Sequence, residues 1–452
     1  MEKFRDNGEK SQSINSNRVD TRKSSFIDAD VVEYLRLTFK NEAEIYKLVN
    51  NLIKSPSNYY IRVNLTLTSV EDIILQLKDK FPSYIFTPSP IENMISIKIP
   101  ANSHLILHHP IIYCDKFAAE AVRMGANLYI PGVTEIEGSF PAKTSVSVVM
   151  DPKKVPESFP FNLSHFHVAN GIAQIASKEF PKKLNGIMVE TIESRNKLPP
   201  YRQNSLYSDG FISDQHLYAN LATKIFTEYI VKFYLQEKHD PIIFDTCSAP
   251  GHKTSAMAEW GYHLTKKKTG SGHWFPIKSI DRSKNRLLHL EHDISRLKLE
   301  NIEIYICKLE KIEKKYPNFI GTGDFIFFDP PCSALGPRPK LYISKNKTEL
   351  EDFARNQRRL LKLVDKLIHP GGYLMYNTCT FAIQENENIV AYALTKLNYR
   401  LIDISSFYPQ LGNPGLIYQG ISPQKNHYMR RFYPSDEDGQ GYFIALLQKN
   451  ET

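Results

Sequence analysis

From about residue 205 onward, short apolar runs alternate with amphipathic helical segments, and this alternation limits the fold more than any other feature of the chain. The runs are PIIFDT (241–246), PIKSID (276–281), NIEIYIC (301–307), DFIFFD (324–329) and GGYLMYNT (371–378). Helices are expected over 212–236, from about 253, over 285–299, over 349–368 and from about 384, and GYFIALLQK (441–449) reads as a closing strand. Strand–helix–strand units of this kind build an α/β domain with an open parallel sheet. In such sheets ligands bind beyond the carboxyl ends of the strands, so the residues that follow each run are the place to look for chemistry.

Three of those strand ends carry cysteine: DTCSAPGHKTSAMAEW (245–260), FFDPPCSALG (327–336) and MYNTCTFAIQENE (375–387). The chain has five cysteines in all, Cys114, Cys247, Cys307, Cys332 and Cys379, widely spaced and without a CxxC pair. No metal site and no disulfide framework is expected from that pattern. Reduced thiols in an intracellular compartment are the natural reading, with the cytoplasm as the default location. Taken singly, each strand-end cysteine reads as readily as a packed structural thiol. Taken together, Cys247, Asp329, Cys332 and Cys379 gather at one edge of one sheet, which points to a site. In the first loop, small residues let a backbone approach a ligand, and Asp281 at the end of the second strand is placed to hold ribose hydroxyls. Gly251 to Asp281 is longer than the usual spacing, and the loop TKKKTGSGHW (265–274) accounts for the excess. There is no GxGxxG, so a nicotinamide cofactor is disfavoured. In the second loop two prolines fix the backbone between Asp329 and Cys332.

The first half of the chain has a different character. Residues 1–27 are polar, include Glu2, Asp6, Glu9 and Asp20, and lack the apolar core of a signal peptide, so a disordered tail is expected. Residues 28–99 read as a small α+β region, with helical periodicity over 28–55, a strand in YYIRVNLTL (59–67) and a helix in SVEDIILQL (69–77). Strand-like runs dominate 100–192: HLILH, NLYIPGV, TSVSVVM, FHVANGIAQI and GIMVETI, separated by Gly, Pro and Asn turns. A compact β-rich domain or barrel is expected there, and the catalytic α/β domain over 193–452. No apolar run approaches the ~18 residues of a membrane span. The net charge of +8 permits a polyanionic partner without requiring one.

These residues resemble the NSUN-type RNA (cytosine-5)-methyltransferases, also called Sun-domain enzymes. The family's D-x-C-A-x-P-G-G-K-T loop is matched by Asp245 to Thr254 and its D-x-P-C-S motif by Asp329, Pro331, Cys332 and Ser333. Its T-C-T with a following E-N-E is matched by Thr378, Cys379, Thr380, Glu385, Asn386 and Glu387. Arg62, Val63 and Asn64 resemble its R-V-N motif, Gln215 sits at its Q-N/D turn, and GYFIA resembles its closing strand. The match runs over about residues 30–447. AAEAVRMGANLYIPGV (118–133) is similar to a PUA signature, the small RNA-binding β-barrel of one subgroup.

The resemblance implies a Rossmann-like S-adenosylmethionine-dependent domain with an inserted PUA domain, acting on cytosine near the 3′ acceptor end of tRNA, with the CCA end as a further contact. A monomer is expected. It implies Cys379 as the attacking thiolate, Cys332 as the group assisting release, Asp329 on the cytosine N3/N4 edge and Lys253 in support. Cys247, Ser248, Ala249, Pro250, Gly251, His252 and Lys253 would line the cofactor with Asp281, Arg286 and Asp329. Gly125, Ala126, Asn127 and Tyr129 would face the CCA end, and Lys153 and Lys154 a phosphate. Three departures stand out. His252 replaces the loop's second glycine. Ser248 replaces alanine. Lys308 and Leu309, with Glu310 one or two places late, occupy the region of an adenine-side aspartate. A catalytically decayed PUA-type RNA-binding protein is the alternative reading, although every catalytic residue type is retained. A DNA cytosine methyltransferase is disfavoured, because those enzymes take the nucleophile from a PCQ-type loop.

Overall fold

A computed structural model describes the chain except residues 1–25, 101–104, 158, 160, 435–438 and 452. Its centre is an α/β sheet of nine strands. Five parallel strands lie in the spatial order Ile302–Ile306, Ile277–Asp281, Ile243–Thr246, Gly323–Phe328, Ile368–Thr378. The antiparallel strand Tyr442–Lys449 then pairs with Ile368–Thr378 and closes that side. The direction of succession reverses at Ile243–Thr246, so the loops after that strand and after Gly323–Phe328 open onto a topological switch point.

The DFIFFD strand shows why a continuous apolar run forms here. Phe325 and Phe327 pack with Phe226, Trp260 and Met375 on one face, and Ile326 and Phe328 pack with Leu361, Val364 and Ile389 on the other. Successive side chains of a strand point to opposite faces, so a strand covered by helices on both sides has no polar positions. The covering helices are Leu217–Glu237 and His252–Thr269 on the first face, and Lys347–Val364 and Glu387–Lys396 on the second.

Residues 111–194 form a six-stranded sheet around their own core, with the helix Lys116–Arg123 against it. Leu341 and Tyr342, from the catalytic half, complete that core. A four-stranded antiparallel sheet pairs Asn58–Val63 with Met94–Lys98 and with Ile212–Asp214.

Several expectations need correction. The helix expected from 212 begins at Leu217, because Ile212–Asp214 is a strand in register with Ile61–Val63. Tyr201, Leu206 and Ile212 accordingly pack with Ile61 and Ile95, so the chain from 201 to 214 joins the N-terminal sheet and not the catalytic half. The helices Ala29–Leu35 and Glu42–Ile53 pack on Leu335, Leu350 and Phe381 of the catalytic half, which divides the region expected as one unit over 28–99. The tail expected over 1–27 ends earlier: Ile27 is buried and Phe26 stacks on His165 at 4.4 Å, while residues 1–25 lie outside the described residues. No strand forms in residues 105–108 of HLILH; the strand is Ile111–Cys114, which lies parallel to Ser145–Met150. Tyr399–Ile402 and Arg430–Phe432 are strands without a counterpart among the expectations. Among the described residues no helix is long and apolar enough to cross a membrane.

Candidate active site

The loops after three strands meet at the switch point. Cys332 follows the Gly323–Phe328 strand and Cys379 follows Ile368–Thr378, and their sulfurs lie 3.2 Å apart. Lys253, in the first turn of the His252–Thr269 helix, places Nζ 2.5 Å from Asp329 Oδ2. Burial works against the Lys253 charge, but Asp329 outweighs it and raises the Lys253 pKa.

The two cysteine loops are locked to each other. Ser333 N and Gln357 Nε2 both donate to Glu385 Oε2, at 2.8 and 3.0 Å. Gln357 Nε2 also reaches Pro331 O at 3.1 Å. Ser333 Oγ bonds Thr380 Oγ1, and Gly336 N donates to Cys379 O. Asn386 accepts from Thr378 Oγ1 and donates to Thr380 O, bracing Cys379 from both sides. Glu385 is fully buried, and its pKa rises to about 7 through burial, against the pull of the Ser333 bonds.

The two thiols are not equivalent. The hydrogen bond from Cys332, with Lys253 and Lys340 nearby, lowers the Cys379 pKa in spite of burial and Asp329. The same bond, with burial, pushes Cys332 well up. The favoured arrangement is therefore a Cys332 thiol donating to a Cys379 thiolate, the reactive form of the group.

The loop 247–251 forms the other wall. Ser248 N donates to Ile280 O, and Ser248 Oγ meets Ser279 Oγ at 2.7 Å. Asp281 accepts from Ala249 N and Ser283 N, which leaves each carboxylate oxygen a further lone pair. Arg286 donates to Ala249 O at 2.5 Å and so ties the loop to its neighbouring helix. Asp245 is buried, receives Thr254 Oγ1 on Oδ2, and has an unpartnered Oδ1; burial raises its pKa to about 7. Burial, with Asp281, Asp329 and Asp245, pushes the Cys247 thiol up. Three carboxylates thus converge on one pocket.

Gly251 has a physical reason different from ligand approach. Its φ is +110°, and an added Cβ would lie 2.6 Å from Leu290 Cβ. Gly251→Ala is expected to destabilise the fold by ~2 kcal/mol through overpacking and left-handed strain. Urea unfolding measures that loss, and the added substitution Leu290→Ala should recover part of it. His252, the first residue of the helix, turns its ring toward Asp293, 3.9 Å away, and into a neighbouring cleft. Its carbonyl accepts from Arg62, which is buried and also bonds Gln215, Ser255 and Glu259. After the Ile302–Ile306 strand, Glu310 pairs with Arg359, so its carboxylate is engaged away from an adenine-side role.

In the 111–194 unit, Gly125 turns with φ +96°, and the Ala126 carbonyl and Asn127 Oδ1 accept from Thr191. Tyr129 is 55% exposed, so it is a surface residue and not part of the core. Lys153 is exposed and paired with Glu135 at 2.6 Å, and Lys154 is exposed. Gln357, Lys340, Tyr442 and His216 escaped the sequence reading. Only His216, beside Gln215, carried a nearby signal; Gln357 is one polar residue among many on its helix.

Comparisons with known proteins agree with this architecture. A family model described as 16S rRNA methyltransferase RsmB/F matches residues 232–448, and a PUA domain model matches 110–194. The tRNA (cytosine(72)-C(5))-methyltransferase of Pyrococcus horikoshii is 31% identical over 419 residues, 92% of this chain and 95% of its own. The human tRNA (cytosine(72)-C(5))-methyltransferase NSUN6 is 26% identical over 444 residues, 91% of this chain and 87% of its own. The crystal structure of NSun6 from Pyrococcus horikoshii with SFG aligns with a TM-score of 0.75 at 29% identity, over 95% of this chain and 100% of that one.

Proposed function

The chain belongs to the NSUN-type RNA (cytosine-5)-methyltransferases, in the subgroup that carries a PUA domain, and from that premise we propose that it methylates C5 of cytosine 72, near the acceptor end of tRNA. Position 72 is taken from the names of its relatives. The observation that carries the reading is the Cys332–Cys379 pair at 3.2 Å beside the Lys253–Asp329 ion pair.

Cytosine C5 is a weak nucleophile. Addition of the Cys379 thiolate to C6 makes C5 enamine-like, splitting one difficult step into two. Asp329, steadied by Lys253, accepts from the N4 amino group and shares a proton at N3 as charge develops on the ring. S-adenosylmethionine, when bound, supplies the methyl group as an electrophile. Cys332, held against Cys379, assists the elimination in which the C5 proton leaves and the C6–sulfur bond breaks. The pocket fits that cofactor. Asp281 retains acceptor capacity for ribose hydroxyls, and Asp245, Asp281 and Asp329 set a negative field against its sulfonium and ammonium charges. The backbone from Cys247 to Lys253 forms the wall, and Arg286 stiffens it.

The base must leave its stem to reach these groups, which costs a few kcal/mol. Phosphate contacts offset that cost. Gly125, Ala126, Asn127 and exposed Tyr129 form the surface for the CCA end, with Lys153 and Lys154 toward phosphate.

Nucleoside mass spectrometry of tRNA incubated with the protein and S-adenosylmethionine tests the reading. Wild type should form 5-methylcytosine, and Cys379→Ala should lose at least about a thousandfold in rate while still binding S-adenosylmethionine. Turnover retained in Cys379→Ala would remove that residue from the nucleophile role. The pH dependence is a second check. Single-turnover rate should rise with pH along a limb centred below an ordinary thiol's range, because Cys379 is lowered. Lys253→Met removes a cation that favours the thiolate and leaves Asp329 unpaired. Both changes raise the Cys379 pKa, so the limb should move to higher pH; an unmoved limb would exclude Lys253 from thiolate stabilisation.

A further inference from the structure

Beside the thiol pair, where the N-terminal sheet, the PUA domain and the catalytic loops meet, lies a cleft of about 260 Å³. Tyr59 and Tyr60 line it from the sheet, Met124 from the PUA domain, and Gln215, His216 and His252 from the catalytic side. Three of these residues carry a buried polar atom without a partner: Gln215 Nε2, His216 Nδ1 and His252 Nδ1. Gln215 is 7% exposed, and its amide is oriented, because Arg62 donates to Oε1 and leaves the NH₂ group free. A buried donor without a partner is costly, so a ligand that supplies an acceptor is favoured here.

The two rings are fixed in place. His216 stacks on Tyr442 at 5.6 Å, and the Tyr442 hydroxyl bonds Asn377, two residues before Cys379. The His252 backbone is held by Arg62 at 3.0 Å. Burial keeps both imidazoles neutral, reinforced by Lys253 at His216 and by Arg62 at His252. A neutral imidazole offers one donor and one acceptor. The cleft therefore presents neutral hydrogen-bonding groups between aromatic walls, which suits the edge and face of a nucleobase better than a phosphate. Its volume admits one base.

We propose that this cleft is a base-reading subsite, which takes one nucleobase of the RNA next to the target cytosine and hydrogen-bonds its edge through Gln215, His216 and His252. The proposal rests on the methyltransferase reading above and adds a sequence preference to it. His252 stands where the family pattern has glycine, so part of this preference belongs to this chain.

The test uses the full chain and short acceptor-stem hairpins that differ only in the nucleotide 5′ or 3′ to the target, with binding measured by fluorescence anisotropy and methylation by single turnover. Wild type should prefer one base at one flank by roughly tenfold, the size of one good base-edge contact. His252→Gly, which restores the family residue, and His216→Asn should each reduce that preference at least about threefold. Melting temperature and S-adenosylmethionine affinity monitor the fold. Equal binding of all flanking bases by wild type, or an unchanged preference in both variants, overturns the subsite. If wild type methylates none of the hairpins, the methyltransferase reading fails. The binding preference, read separately, then decides the subsite: a preference lost in the variants supports it, and a flat profile overturns it.

Discussion

Replacing Cys332 with alanine is expected to leave the protein covalently bound to its RNA. The argument starts from the asymmetry of the sulfur pair. Cys379 is the more acidic partner and keeps Lys253 and Lys340 nearby, so attack on C6 does not depend on Cys332 for a base. Cys332 sits 3.2 Å from Cys379, on a loop braced by Pro331 O to Gln357 and Ser333 N to Glu385. After methyl transfer the adduct can dissolve only by losing the C5 proton and the sulfur together, and Cys332 is positioned for that step alone. Loss of a positioned proton-transfer group slows such a step about 10²- to 10⁴-fold. With S-adenosylmethionine and a competent tRNA, Cys332→Ala should run on a denaturing gel as a protein–RNA band. The double variant with Cys379→Ala should lose the band. Normal turnover by Cys332→Ala, with no band, would remove Cys332 from the release step.

The catalytic sheet was legible because its strands are covered on both faces. DFIFFD and GGYLMYNT have almost no polar interruptions, and flanking helices with 3.6-residue periodicity leave one architecture open to them. The strand-end loops were legible because unusual residue types recur at strand ends. Short pairings were not. Ile212–Asp214 is three residues long and becomes a strand only through Ile61–Val63, about 150 positions earlier; local pattern attached it to the following helix. The role of Gly251 was misread for a related reason. Room for a ligand and room for Leu290 impose the same residue, and only packing separates them. Gln357 joins both cysteine loops through one amide, but on its helix it is one of several polar residues. His252 read as an obstruction to the cofactor. In the structure its ring belongs to a different cleft, which a substitution pattern alone does not reveal.

Glu387→Ala is expected to cost about 3–5 kcal/mol of stability, the usual result of stripping one partner from a buried ion pair. Glu387 and Arg431 are both fully buried, and two bonds of 2.6 Å join them side-on. Glu387 also accepts from Leu416 N, and Arg431 donates to Phe381 O, two residues after Cys379. The pair therefore fastens the Arg430–Phe432 strand to the loop that carries the nucleophile. Without the carboxylate, Arg431 stays charged and buried with no counter-ion, and its remaining bond to Phe381 is pulled by any water that enters to solvate it. Denaturant unfolding should show the loss, together with a fall in single-turnover rate as the Cys379 loop loosens. The double variant Glu387→Leu with Arg431→Met separates charge from shape. It removes the desolvation cost along with the attraction, so it should be more stable than Glu387→Ala. Its rate should remain low, because Phe381 O loses its donor. Equal stability of the single and double variants would mean that packing, and not the stranded charge, sets the cost.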